Sequence, residues 1–282
     1  MDNNYLVDEF RGTDDLYCAE VLTDDNEDGS GYTTGTVFKL APVAEISKTT
    51  ETSSENKYYD NIVAATINAE GADTITLTVP ALPLDILAYI TGKKTDAATG
   101  AFMDGAAVPR YFALGYRLGL TDGTYRYLWR YKGSFAIPDE TSATKDNSTT
   151  TNNQSLTYTG IMTIHEFTKP GESQRALVVD ERDDKAVLTS FFDSVTTIDT
   201  LVQKTYYTVT NTLTKCSSSN AATKAATGSS YSATITADSG YTLGAVTVTM
   251  GGTDISSTAV SGANINIANV TGNIVVTCTA TA

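Results

Sequence analysis

The chain has 282 residues, of which 41% are hydrophobic, and a net charge of −14. The last 78 residues hold two carboxylates and two lysines, so 31 of the 33 acidic and 17 of the 19 basic residues lie in residues 1–204. This apolar content excludes a disordered acidic chain, and the lack of an apolar run of about 18 residues excludes a membrane-spanning helix. Length and composition predict two domains, residues 1–204 and 205–282.

The N-terminus and the cysteines indicate a reducing compartment. Met1–Tyr5 lacks the basic and apolar regions of a signal peptide, so we expect folding in a cytoplasm. Three cysteines without a CxxC motif argue against a zinc site or a disulfide framework and favour buried thiols: Cys18, Cys216 and Cys278. A disulfide between Cys216 and Cys278 stays an alternative, because both lie late in the first and last strands of the second part.

The first part reads mainly as strands, from alternation of apolar and polar residues. The predicted strands are Asp14–Leu22, Thr36–Ile46, Ile62–Ile67, Thr74–Val79, Tyr111–Arg117, Gly123–Gly133, Leu156–Phe167 and Arg175–Val179. Two long polar segments, Ser47–Asn61 and Pro138–Gln154, have no apolar face and are predicted to be loops. Asp122-Gly123 is a strong hairpin signal.

Two helices are predicted between these strands. Pro83–Gly92 has a proline suited to a first turn, an apolar face and a glycine suited to the C-terminal cap. Asp183–Val195 has acidic residues in its first turn and one apolar stripe that would dock on the sheet. Thr196–Lys204 would then link the two domains.

The strand Gly123–Gly133 alternates aromatic with basic residues. Arginine beside tyrosine or tryptophan is typical of single-strand nucleic-acid platforms. In a strand, however, the two residue types point to opposite faces, and the surrounding domain is strongly acidic. The pattern therefore favours an ordinary structural strand over nucleic-acid binding.

The second part reads as short strands rich in Val, Ile, Thr and Tyr, separated by Gly, Ser and Asn turns. They are Tyr206–Leu213, Tyr231–Ala237, Ala245–Met250, Asn264–Ile267 and Asn273–Ala280. Turns at this spacing predict an Ig-like β-sandwich.

The residues that could carry catalysis or bind a metal are few. His165 is the only histidine and is predicted to lie inside a strand, so it is not expected to serve a catalytic triad. One acidic turn lacks the EF-hand spacing and is predicted to be solvated rather than calcium-bound: Asp24, Asp25, Glu27 and Asp28. Phosphate-loop and dinucleotide motifs are absent. The sequence predicts no enzyme, no metal and no cofactor.

Four segments of the first part resemble the major tail protein, or tail tube protein, of bacteriophages with long non-contractile tails. They follow the family's order: GTDDLYCA at 12–19, ALPLDIL at 81–87, YFALGYR at 111–117 and YRYLWRYKGSFAIPDE at 125–140. The second part resembles an Ig-like repeat found on phage tail proteins and bacterial surface proteins, through YYTVTNTLT at 206–214, GYTL at 240–243 and VTVTMGGTD at 246–254.

The resemblance implies a tail-tube β-sandwich or barrel with one or two flanking helices, followed by an Ig-like decoration domain. It implies a virion tail protein, assembled in the host cytoplasm as hexameric rings that stack into a conduit for DNA. The expected partners are further copies of the chain, the tape measure, tail tip and tail terminator proteins, DNA that passes without specific binding, and a host surface. The segment Ser47–Asn61 matches the family's contact between rings, with Lys57, Tyr58, Tyr59 and Asp60 as its expected contact residues.

The acidity fits this function, because a net negative wall repels DNA where a basic wall would bind it. The alternative explanation is that the acidity serves solubility alone. The rival function is a bacterial cell-surface Ig-like adhesin, against which the missing signal peptide, membrane anchor and wall-sorting tail all count.

Overall fold

The computed structural model describes residues 8–25, 31–139, 153–169 and 171–282. The chain forms two compact units, residues 1–202 and 203–282. Strands dominate each unit, so the predicted mainly β fold is confirmed. Most of the loop predicted at Pro138–Gln154 lies outside the described residues. Within the described part, no helix combines the length and apolar character that a membrane crossing requires.

The N-terminal unit contains thirteen described strands and one helix. In chain order they are β1 Phe10–Asp24, β2 Tyr32–Thr34, β3 Phe38–Ala41, β4 Glu45–Tyr59, β5 Ile62–Val79, α1 Leu84–Thr91, β6 Lys94–Thr95, β7 Phe102–Met103, β8 Phe112–Leu120, β9 Tyr125–Phe135, β10 Gln154–Ile161, β11 Glu166–Phe167, β12 Glu172–Ser173 and β13 Ala176–Asp180. A 3₁₀ turn follows at Glu181–Asp183.

One antiparallel sheet organises this unit, in the order β2-β1-β8-β9-β10-β5-β4, with β3 also paired to β1 and β13 to β9. It is curled into a half-barrel. Along one edge of the central strand β9, two strands pair one after the other. Residues 126–130 pair with β13, and residues 132–135 pair with β10. β9 therefore pairs with three strands: β8 along one edge, and β10 and β13 along the other.

Apolar clusters cover both faces of the sheet. On one face, α1 packs through Ile90 on a cluster that contains Phe112, Leu128 and Tyr158. On the other face, Trp129 packs in a second cluster, whose other buried members are Ala19, Ala113, Tyr127, Tyr131, Phe167, Leu177, Phe191 and Val195. The aromatic residues of β9 thus lie under the chain that follows β10.

The local signals around α1 and the β8–β9 turn are confirmed. The helix ends at Gly92, whose φ of 70° is left-handed and whose N–H points to the carbonyls of Ala88 and Tyr89. A Cβ at Gly92 would lie 2.0 Å from the Val108 carbonyl oxygen, so only glycine fits there. Gly123, with φ of 88°, closes the β8–β9 hairpin.

Two predicted strands are interrupted in the structure. The predicted strand Thr36–Ile46 is divided into β3 and β4, because Pro42 has no N–H to donate to a ladder. The predicted strand Leu156–Phe167 ends at Ile161, and His165 lies in a bend before β11. The Asp24 carboxylate accepts the backbone N–H of both Ile164 and His165, which replaces their ladder bonds.

The prediction of a loop at Ser47–Asn61 is wrong. This segment is most of β4 and pairs with β5 from Glu45 opposite Thr78 to Tyr59 opposite Ile62. The backbone ladder satisfies its polar groups without an apolar face. Asp60 and Asn61 form the connecting turn with φ of 49° and 61°, the left-handed values of a type I′ hairpin.

The predicted helix Asp183–Val195 is also wrong, because the segment forms a 3₁₀ turn and then a series of turns. In a helix the Phe191 carbonyl would accept the N–H of Val195. Here it accepts the indole N–H of Trp129 at 3.0 Å and the hydroxyl of Thr196 at 2.8 Å. Docking on the sheet therefore replaces the helical hydrogen bond.

The segment Thr196–Lys204, predicted as a linker, belongs for the most part to the N-terminal unit. Thr196 and Thr197 are buried, and Ile198 and Leu201 pack against the cluster around Trp129. The compact unit accordingly extends to residue 202.

The C-terminal unit has nine strands and a short helix. They are β14 Tyr206–Thr214, β15 Cys216–Ser218, β16 Lys224–Ala226, β17 Tyr231–Ala237, β18 Thr247–Met250, β19 Thr253–Asp254, α2 Ser256–Ala259, β20 Val260–Ser261, β21 Asn264–Ile267 and β22 Ile274–Thr279. Two sheets, β16-β14-β22-β18-β19 and β15-β17-β21-β20, form a sandwich around a single apolar cluster. The first and last long strands, β14 and β22, pair in parallel.

Candidate functional site

The outer part of the β4–β5 hairpin, residues 51–70, is here called the projecting hairpin. Every residue in it is exposed except Lys57, which is half-buried. Nine residues of β4 at the rise of an antiparallel strand span about 30 Å. The projecting hairpin thus extends away from the sheet and buries no core of its own.

The tip of the projecting hairpin carries four apolar side chains in two cross-strand pairs. Tyr58 lies opposite Val63, and Tyr59 lies opposite Ile62. Their exposed fractions are 64% for Tyr58, 45% for Val63, 68% for Tyr59 and 70% for Ile62. Successive residues of a strand point to opposite faces, so the tip presents one apolar pair on each face.

The four residues predicted for contact between rings are contiguous at this tip. Lys57 forms an ion pair with Glu55 at 2.5 Å, and Asp60 occupies the left-handed turn. The sequence prediction did not include Ile62 and Val63. Cross-strand pairing would have identified these two residues, but this pairing can be inferred only if β4 is predicted to be a strand.

The base of the projecting hairpin is held by a buried carboxylate. Asp73, only 1% exposed, lies within 3.3 Å of Lys48, 3.2 Å of Arg130 and 3.3 Å of Arg175. It also accepts the hydroxyl of Thr50 at 2.7 Å. These side chains come from β4, β5, β9 and the residue before β13, so the cluster joins the hairpin to the centre of the sheet.

Electrostatics keep Asp73 ionised. Burial by itself would raise the pKa of this carboxyl, but the Thr50 hydroxyl and the charges of Arg130 and Lys48 outweigh burial and hold the pKa below its usual value. The carboxylate therefore remains charged at neutral pH and attracts the cations around it.

A second buried ion pair joins the end of β1 to β9. The Lys132 ammonium lies 2.5 Å from the Asp24 carboxylate, and the two side chains are 8% and 6% exposed. Burial would raise the pKa of Asp24, but hydrogen bonds from the His165 N–H, Lys132 and the Ile164 N–H lower it. Asp24 thus has a structural role.

The candidate metal and catalytic residues do not come together as a site. In the part of the chain that the structure describes, no group of three His, Cys, Asp or Glu side chains is placed to hold a metal ion. Glu27 and Asp28 of the acidic turn lie outside that part. The His165 ring packs edge-on against Phe167 at 4.9 Å.

The nucleic-acid alternative for β9 does not fit the structure either. Trp129 and Tyr131 are fully buried under the chain that follows β10, so no base can stack on them. Arg130 and Lys132 are held by Asp73 and Asp24. The aromatic residues of β9 pack on one face of the sheet and its basic residues form ion pairs with Asp73 and Asp24, as expected for an ordinary structural strand.

The N-terminal unit matches a known protein family. A family model described as phage tail tube protein matches residues 32–196, more than half of the chain. The chain belongs to the phage tail tube protein family. No curated protein sequence matches it.

Tail tube proteins are structural components of the virion tail, so the predicted location and the prediction that the chain is not an enzyme are confirmed by the family. The match covers the projecting hairpin, α1, β8, β9 and the segment that packs on Trp129. The features described above therefore belong to the part of the chain that is similar to tail tube proteins.

Asp73→Asn should destabilise the N-terminal unit, because it leaves three cations around a neutral amide. We expect a loss of about 3 kcal/mol at pH 7, the lower end for a broken buried ion pair, since Lys48 is one-third exposed and partly screened. Urea unfolding of the unassembled protein, followed by the fluorescence of its single tryptophan, Trp129, measures this.

The loss should depend on pH. Because the folded pKa of Asp73 is lowered, its stabilisation is complete well above the unfolded value of about 3.9 and decreases as the pH falls toward the folded pKa. The wild-type advantage over Asp73→Asn should therefore shrink between pH 5 and pH 3. Glu70→Gln is the control, since its carboxylate is 72% exposed and 3.8 Å from Arg175. An equal loss in this control would contradict the assignment.

Proposed function

We propose that this tail tube protein assembles as hexameric rings that stack into the tail tube and form a conduit for DNA ejection. The observation that carries the proposal is the projecting hairpin, which extends about 30 Å from the sheet and exposes four apolar side chains at its tip. Isolated apolar side chains are common on protein surfaces, but a cluster at the end of a hairpin needs a partner to cover it.

The open ends of the sheet also support association. Among the residues that the structure describes, the path of strands ends at β2 on one side and at β4 on the other. Unpaired edge strands present N–H and C=O groups that a neighbouring subunit can bind. Head-to-tail contacts close a ring when the rotation permits, and stacking of rings remains open and produces a filament.

The two-sided tip favours insertion between neighbouring subunits over contact with a flat surface. Tyr58 and Val63 lie on one face and Tyr59 and Ile62 on the other, so a flat partner would cover only one pair. A cleft between copies of this chain would cover both. In this proposal Lys57 and Asp60 flank the apolar pairs and make polar contacts at the rim.

The double substitution Tyr58→Ser and Tyr59→Ser should abolish tubes without unfolding the protein. Both tyrosines are exposed, so tryptophan-monitored stability should change by less than about 1 kcal/mol. Negative-stain electron microscopy and sedimentation would show rings and tubes for the wild type and dispersed protein for the variant.

The matched control is Tyr206→Ser, which removes a 40% exposed tyrosine from the C-terminal unit and should leave assembly intact. Tubes of the double variant at wild-type concentrations would contradict the role of the tip. A wild type that stays monomeric and binds sugar would favour the adhesin alternative.

For the net charge we propose that a substantial share of the carboxylates faces the lumen of the tube. DNA carries one charge per ~1.7 Å of helix axis, so a negative wall prevents binding and lets it slide. Asp24 and Asp73 are buried in ion pairs and contribute nothing to such a wall. A density map of the assembled tube tests this: we expect an inner surface with excess carboxylates, and a net positive one would contradict the proposal.

For the C-terminal unit we propose an external decoration of the tube, with contact to the host surface as its function. Its support is the neutral charge balance of residues 205–282, which differs from the acidic N-terminal part. Contacts with the tape measure, tail tip and tail terminator proteins are then expected of the N-terminal unit.

Ending the chain at Lys204 should leave tubes of normal calibre, because the tip, the sheet edges and the Asp73 cluster all lie in the N-terminal unit. Electron microscopy of the shortened and full-length proteins, side by side, measures tube diameter and ring spacing. Complete loss of assembly would show that residues 205–282 are part of the tube wall.

A further inference from the structure

The C-terminal unit contains two thiols in one apolar cluster. Cys278 is buried in it and Cys216 packs against it, and both are free thiols. We infer that Cys216 and Cys278 form an intramolecular disulfide when the protein leaves a reducing compartment for an oxidising one. Both cysteines lie in the C-terminal unit, so the bond would not depend on how the tube assembles.

Strand register brings the two thiols together. The parallel pairing of β14 with β22 aligns Leu213 with Cys278. Beyond Thr214, Lys215 takes a left-handed φ of 57°, and Cys216 begins β15. The chain changes from one sheet to the other at this point, immediately beside Cys278.

The distances agree with this placement. The Cys216 sulfur lies 3.4 Å from the carbonyl oxygen of Cys278. Burial raises the pKa of the Cys278 thiol, and interaction with the neighbouring Cys216 thiol raises it further. A disulfide requires Cβ atoms roughly 4 Å apart, so the bond would form after the two side chains rotate toward each other.

Accessibility sets the order of the reaction. Cys278 is 1% exposed, whereas Cys216 is partly exposed and reaches solvent. The Cys216 thiolate attacks a low-molecular-weight disulfide, forms a mixed disulfide and releases one small thiolate. Cys278 then loses its proton and attacks the Cys216 sulfur, releasing the second small thiolate. The protein loses two electrons and two protons, and the small disulfide is reduced to two thiols.

The disulfide needs an oxidising environment, and a virion meets one outside the cell. A virion tail protein is made in a cell and functions after release, and disulfides persist outside the reducing cytosol. The bond would join the beginning of β15 to the end of β22 and enclose most of the unit. Because residues 205–282 hold only two carboxylates and two lysines, such a covalent link would supply stability that ion pairs cannot.

The test uses the full chain, incubated with oxidised glutathione and then denatured and alkylated. Before alkylation we expect a mass decrease of about 2 Da. After alkylation we expect loss of two of the three free thiols and a peptide that links Cys216 to Cys278. Cys18 is the internal control, because it is fully buried in the N-terminal unit and should stay alkylatable. The unfolding temperature of the C-terminal unit should rise by roughly 10 °C, with the Trp129 signal unchanged.

Cys216→Ser removes only the partly exposed thiol and should keep the fold, so its unfolding temperature should be the same with and without glutathione. Three results would overturn the inference: retention of all three thiols, a glutathione adduct on Cys216 that Cys278 does not displace, or a disulfide between two chains on a non-reducing gel. If the Cys216–Cys278 disulfide forms but the unfolding temperature of the C-terminal unit does not rise, the disulfide does not stabilise the unit.

Discussion

The buried carboxylate of Asp73 is the interaction on which the shape of the N-terminal unit depends. Asp73 lies in β5 and forms ion pairs with Lys48 of β4, Arg130 of β9 and Arg175, which immediately precedes β13. A hairpin without an apolar face has no core to fix its direction relative to the sheet. Charge and hydrogen bonds at its base do this instead, and burial strengthens them because the local dielectric is low.

The same constraint explains why a polar segment can be ordered over such a length. The cross-strand ladder satisfies the backbone of β4 and β5, and the type I′ turn at Asp60-Asn61 matches the twist of the strands. The apolar residues are confined to the tip, where the proposal places the contact with other copies. The order of the base and the proposed contact at the tip therefore depend on different residues.

The rest of the sheet shows how tertiary contacts override local preference. The segment after β13 has the composition of an amphipathic helix, yet the Phe191 carbonyl binds the Trp129 indole and the Thr196 hydroxyl. The aromatic residues of β9 are buried on this face of the sheet by the segment of turns, which places Phe191 and Val195 in the same cluster as Trp129. Packing against a sheet that is already curled decides the conformation, since propensity contributes only tenths of a kcal/mol per residue.

The sequence by itself determined the features that local chemistry controls: the alternation of β9, the glycine cap of α1, the Asp-Gly hairpin, the short strands of the C-terminal unit and the resemblance to tail tube proteins. Its assignment of Lys57, Tyr58, Tyr59 and Asp60 to the contact between rings stays a prediction. Only the tertiary structure decided that Ser47–Asn61 is a strand, that Ile62 and Val63 share its tip, and that Asp73 holds its base. These features depend on cross-strand register and on charges that meet across separate strands, and neither can be obtained from the periodicity of a single segment.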